Sequence, residues 1–157
     1  MKTADQEKKF FDVRFIYERF TKSLVEHDLE QWIELFDENV VFEFPYAPRG
    51  FTQRLEGKSA LYAYIKELPG KLQLITFTEP IIHLTLDPNV FIIEFGVEKG
   101  HAVESGKPYL QSYISVIKTN GQSDNKIIHY KDYWNPIVAL GVLSDETTIQ
   151  NVFRSQE

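Results

Sequence analysis

The sequence predicts an α+β fold in which helices come first and a strongly curved, mixed or antiparallel sheet follows. Two patterns predict it. Segments with helical apolar spacing dominate the chain up to Leu68, and β-branched or aromatic runs divided by turn residues fill most of the rest. Size sets the third bound: 157 residues, 43% of them hydrophobic, supply one core of ordinary size and not two. We therefore expect a single domain over residues 1–157, with its core at about 10–136 and a C-terminal extension at 137–157.

From Glu7 to Glu26 the apolar residues Phe10, Val13, Tyr17, Phe20 and Leu24 form one stripe of an amphipathic helix. Asp28 can cap a second helix, with Gln31 three residues on and Trp32, Leu35 and Phe36 as its buried face. Asp37-Glu38-Asn39 should end that helix, and Val40–Phe44 reads as a strand closed by Pro45 and Pro48. A third helix is expected from near Ser59 to Leu68, stopped by Pro69-Gly70. Strands are expected at Lys71–Thr78, Ile81–Leu86, Val90–Val97, Tyr109–Lys118 and Lys126–Trp134. Asp87-Pro88-Asn89, Lys99–Lys107 and Asn120-Gly121 divide them. The tail from Ile137 reads equally as a short helix or an extended arm.

Net charge is −6, and no stretch gathers Lys and Arg on one face, which argues against nucleic acid as a partner. The absence of cysteine removes disulfides, thiolate nucleophiles and thiolate metal sites. Met1–Lys9 is polar, and no apolar run approaches the roughly 20 residues that span a bilayer. A cytoplasmic location without membrane association is the expectation. No two histidines have zinc-site spacing, and no phosphate loop, dinucleotide fingerprint or nucleophile elbow occurs, so neither a metal nor a cofactor is expected.

Three strings carry more information in their order than any does alone. They are Glu43-Phe44-Pro45-Tyr46-Ala47-Pro48 after the first strand, Gly57-Lys58-Ser59 before the third helix, and Asp132-Tyr133-Trp134-Asn135-Pro136 at the end of the last strand. With Asp28 ahead of Trp32, the chain from about Phe10 to Pro136 resembles the SnoaL-like branch of the nuclear transport factor 2-like superfamily, the ketosteroid isomerase and polyketide cyclase fold. Its ending is most similar to the phenazine-biosynthesis PhzA/PhzB-like proteins. The resemblance implies a cystatin-like cone whose concave face lines one apolar pocket, and a homodimer formed through the outer sheet face. It also implies that Asp132 is the catalytic carboxylate. The limonene epoxide hydrolase-like members place an Arg and a second Asp where Phe95 and Val97 stand here, which argues against that mechanism. Where the phenazine proteins place a histidine, this chain has Tyr64.

Strand parity puts Asp132 on one face with Ile128, Tyr130 and Trp134, surroundings that penalise an ionised carboxylate and raise its pKa toward the range useful for proton transfer. His129 falls on the opposite face, so it cannot orient Asp132. His83 reads as a packed or interface residue, His27 as the end of the first helix, and His101 with Glu104 as loop. In the register the resemblance implies, Gln111 and Tyr113 point inward, where they could donate to a ligand carbonyl or developing oxyanion. Trp32, Phe44, Tyr64 and Phe91 are expected in the apolar wall, with Ile93, Phe95, Val97, Tyr130 and Trp134. These features support a cofactor-independent enzyme of isomerase, cyclase or dehydratase type, acting on a small apolar or aromatic molecule, with Asp132 as acid or base and Tyr64 or Tyr113 as donor. The alternatives are a non-catalytic ligand-binding protein and a dimeric interaction module of the same fold.

Overall fold

The structure, a computed structural model, describes residues 1–154. Residues 155–157 of the extension lie outside it. Helix α1 spans Ala4–Val25 and opens on a capping box: the Thr3 hydroxyl accepts from the Gln6 N–H at 3.2 Å, and the Gln6 side chain accepts from the Thr3 N–H at 2.9 Å. Its inner stripe buries Val13, Ile16, Tyr17 and Leu24. The chain turns out of α1 at His27, whose φ of 57° is the left-handed conformation that commonly ends a helix. Asp28 then caps α2, Leu29–Ile33, by accepting from the Gln31 N–H at 3.1 Å.

Helix α2 is shorter than the sequence predicts. Phe36 and the trio Asp37-Glu38-Asn39 belong instead to β1, Phe36–Glu43. The cause is tertiary: Phe36 pairs with Ile127 of β7, Ile127–Trp134, and the Ile127 N–H donates to the Leu35 carbonyl at 2.9 Å. The polar trio forms an irregularity in the ladder, where the register shifts between Phe36 and Val41 and the Asp37 carboxylate accepts from the Asn39 N–H at 2.9 Å. Strand β2, Arg54–Glu56, is too short and polar to be read from sequence, and it pairs antiparallel with β1. Helix α3 covers Lys58–Ile65, and a 3₁₀ turn at Leu68–Gly70 replaces the last part of the predicted helix.

The remaining strands are β3 at Leu72–Phe77, β4 at Ile81–Leu84, β5 at Val90–Ala102 and β6 at Ser112–Thr119. Together they make a seven-stranded sheet ordered β2-β1-β7-β6-β5-β3, with β4 also pairing on β5. The β1–β7 pair is parallel and the others are antiparallel, so the sheet is mixed; it is not closed.

Strand β5 runs through Lys99–Ala102, which reads as loop in the sequence. Its first half pairs with β4 and its second half with β3. The handover lies at Gly96, where a Cβ would stand 2.7 Å from the Gln111 carbonyl oxygen, so only glycine lets the approach to β6 cross here. Register shifts on either side of Thr76 add to the bend of the β3–β5 pair. Strand β6 therefore begins at Ser112 rather than Tyr109. An irregularity in β7 opposite Lys118 and Thr119 also corrects a parity reading, because Ile127 and not Ile128 joins Tyr130 in the core.

The tail is helical where described, with α4 at Pro136–Leu143 and α5 at Glu146–Phe153. Among the described residues no helix is long and apolar enough to cross a membrane.

Candidate active site

Strand alternation carries Tyr130, Asp132 and Trp134 onto the inner side of β7, and all three line one cavity of about 170 Å³. Phe42 and Phe44 reach it from β1 and its end, Phe95 from β5, Tyr113 from β6, and Trp32 from α2. Tyr64 and Ile65 of α3 close one flank, and Ala139 and Leu143 of α4 close another.

The deep part of the cavity is closely packed. The Tyr130 ring is sandwiched between Phe42, at 4.4 Å and 5°, and Phe20, at 5.6 Å and 8°. Its hydroxyl shares a 2.7 Å hydrogen bond with the buried Ser115 hydroxyl. Trp32 packs on Phe36 at 4.6 Å and on Phe20 at 5.5 Å, is 1% exposed, and its indole Nε1 has no hydrogen-bond partner among the described residues. Nearer the mouth, Phe44 lies 5.3 Å from Tyr64 and 6.5 Å from Trp134.

Asp132 is the one carboxylate of this wall. Its Oδ1 is sealed from solvent and has no partner among the described residues. Burial without compensating donors raises its pKa to about 8, so the neutral acid predominates at neutral pH. The surrounding phenols are shifted the same way. Tyr113 is pushed well above its usual value by burial, then by Tyr109 and Asp132, and its hydroxyl lies 3.4 Å from that of Tyr109. Tyr64 is raised to about 12 by burial and by Asp132. All of these tyrosines are therefore proton donors at neutral pH.

Eight sequence-selected residues line this cavity: Asp132, Tyr64, Tyr113, Trp32, Phe44, Phe95, Tyr130 and Trp134. Four others do not line it, and of these Phe91 and Ile93 are buried core residues in the first half of β5. Val97 is buried in the second half of β5, just beyond Gly96. Gln111 is 1% exposed and its amide is turned to the backbone: Nε2 donates to the Asn135 carbonyl at 3.0 Å, while Oε1 accepts from the Asn135 N–H at 2.8 Å and the Ser112 N–H at 3.0 Å. That clamp fixes the start of α4, whose Asn135 cap accepts from the Ile137 N–H at 3.0 Å.

The site selection missed Tyr109, Phe51, Ala139 and Leu143. Tyr109 shares strand parity with Tyr113, the one signal that could have found it. The histidines stand apart from the cavity. His129 lies 2.6 Å from Glu43 across the parallel β1–β7 pair, and His83 lies 2.5 Å from Glu94 across β4 and β5. A larger groove of about 530 Å³ runs outside, between the start of α1 and the Asp87 and Gly121 turns. Its walls include the side chains of Lys8, Lys9, Asp12, Asp87 and Asn89.

Comparison with known proteins agrees with this fold. Residues 17–130 match the SnoaL-like domain family. A Bacillus subtilis (strain 168) protein, the uncharacterised YesE, is 50% identical over 120 residues, covering 76% of this chain and 79% of that protein. An uncharacterised PhzA/B-like protein of Pseudomonas aeruginosa, PA3332, is 39% identical over 116 residues, covering 74% and 79%. The crystal structure of a candidate isomerase from Bacillus subtilis superposes with a TM-score of 0.79 at 44% identity, covering 86% of this chain and 94% of that one. The chain belongs to the SnoaL-like family, with the nuclear transport factor 2-like fold and PhzA/B-like relatives.

Proposed function

We propose that the protein binds a small, largely apolar molecule in the Asp132 cavity and moves a proton on it, as an isomerase does. The observation that carries this reading is the unpartnered Asp132 Oδ1 inside an aromatic wall. A carboxyl whose pKa is raised to about 8 is a stronger base when ionised than an ordinary aspartate and still reaches that form near neutral pH. On a β,γ-unsaturated ring ketone, the Asp132 carboxylate would take a proton from the carbon between carbonyl and alkene. The electron pair moves onto the carbonyl oxygen, where the Tyr113 or Tyr64 hydroxyl donates to it. The same carboxyl then returns the proton to the far alkene carbon, so nothing is oxidised and no co-reactant is consumed. The name of the 44% identical structure, a candidate isomerase, agrees with this class of chemistry.

Conversion of cyclohex-3-en-1-one to its conjugated isomer, followed by ultraviolet absorbance, tests the reading. The wild-type protein should accelerate it, and Asp132→Asn should lower the rate by about 100-fold or more while ligand affinity survives. Equal rates in the two proteins would sink the role of Asp132. Binding with no turnover would leave a ligand-binding protein.

A further inference from the structure

Charge and size at the cavity restrict what can occupy it. None of the lining residues is Lys, Arg or His, so an anion entering the cavity would lose its hydration without gaining a counter-charge. The one ionisable acid, Asp132, would repel it further whenever it is ionised. Polar recognition is weighted toward donors. The Trp32 indole N–H can only donate and is buried without a partner, and the hydroxyls of Tyr64, Tyr109 and Tyr113 belong to the same wall. A buried donor left unmade costs stability, so a ligand carrying an acceptor recovers what the empty cavity forgoes.

The volume sets the other limit. About 170 Å³ is close to the roughly 150 Å³ of an apolar cavity that accepts benzene, and well below the roughly 300 Å³ or more of pockets for drug-sized ligands. The α4 residues Ala139 and Leu143 form part of the boundary, and the Gln111–Asn135 clamp holds that helix in place.

We infer that the Asp132 cavity selects an uncharged molecule of about one six-membered ring that carries a hydrogen-bond acceptor, and that α4 excludes fused-ring compounds. The inference rests on the cavity being the working site, as in the proposed function, and it adds the class of substrate.

Benzamide, benzoate and 2-naphthamide separate charge from size. Calorimetric titration of the full-length protein at pH 7 should give benzamide an affinity at least about tenfold above that of either other probe. In Leu143→Ala the gap between benzamide and 2-naphthamide should narrow, and in Ala139→Leu benzamide affinity should fall. Benzoate binding as tightly as benzamide would overturn the charge selection. 2-Naphthamide binding as tightly would overturn the size limit, and no binding by any probe would overturn both. Because these readouts need no turnover, an inert Asp132 leaves them unchanged. Isomerase activity confined to charged or fused-ring ketones would overturn the selection while sparing the proton-transfer chemistry.

Discussion

Ser115 stands directly across from Asp132 in the β6–β7 ladder, yet its hydroxyl bonds at 2.7 Å to Tyr130, leaving the Asp132 Oδ1 without a partner. The hydroxyl paired opposite the carboxylate in the ladder is thus engaged elsewhere. Ser115→Ala should cost about 1–3 kcal/mol, because it strands a buried phenol hydroxyl. Removing both hydroxyls, in Ser115→Ala with Tyr130→Phe, should recover part of that loss. Urea unfolding of the single and double variants checks this, and purely additive losses would refute the coupling.

The Asp132 shift has a stability consequence whose sign is fixed. Its carboxyl has a folded-state pKa of about 8, above the unfolded value of 3.8. Between these values the folded protein holds a proton that the unfolded chain has released, so stability falls as pH rises. The contribution is fully present below the unfolded pKa and is lost by the folded one, at about 1 kcal/mol per pH unit. Asp132→Asn should remove that slope and be the more stable protein at pH 8. Denaturant titrations from pH 5 to pH 9 make the comparison.

Much of this site was legible in the sequence because its strands keep their period. Tyr130, Asp132 and Trp134 alternate inward along β7 as parity requires. Reading failed where the backbone departs from that period. Ile127 replaces Ile128 in the core at a ladder irregularity, and Phe95, Gly96 and Val97 are buried in succession where β5 passes from one partner strand to the other. Asp37-Glu38-Asn39 has the polar composition of a helix end, and only pairing with β7, distant in sequence, makes it strand. Ile137–Leu143 is nearly all apolar and carries no period, so nothing in it revealed that Ala139 and Leu143 would wall the cavity.

Catalysis should carry the same titration. If Asp132 acts as the base, kcat/KM for cyclohex-3-en-1-one rises with pH as the carboxylate forms and levels off above about 8. Tyr113→Phe should lower the plateau by roughly 10- to 100-fold without moving the midpoint, because it removes a donor to the developing oxyanion and not the titrating group. A pH-independent rate would show that Asp132 is not the base.

The Gln111–Asn135 clamp yields a prediction that separates positioning from bulk stability. Gln111 makes three side-chain hydrogen bonds to backbone groups, two of them on the residue that caps α4. Gln111→Leu keeps the volume and most of the packing but strands buried backbone groups of Asn135, which should cost about 2–4 kcal/mol. The damage should be local, since α4 meets the cavity through Ala139 and Leu143 and otherwise follows the last strand. Amide exchange should therefore accelerate most across Pro136–Leu143, while β6 and β7 keep their protection. Selectivity for benzamide over 2-naphthamide should weaken in the same variant, because the boundary that excludes a second ring is no longer held. Uniform loss of protection over the whole chain, with selectivity unchanged, would make Gln111 an ordinary core residue and leave α4 positioned by its own packing.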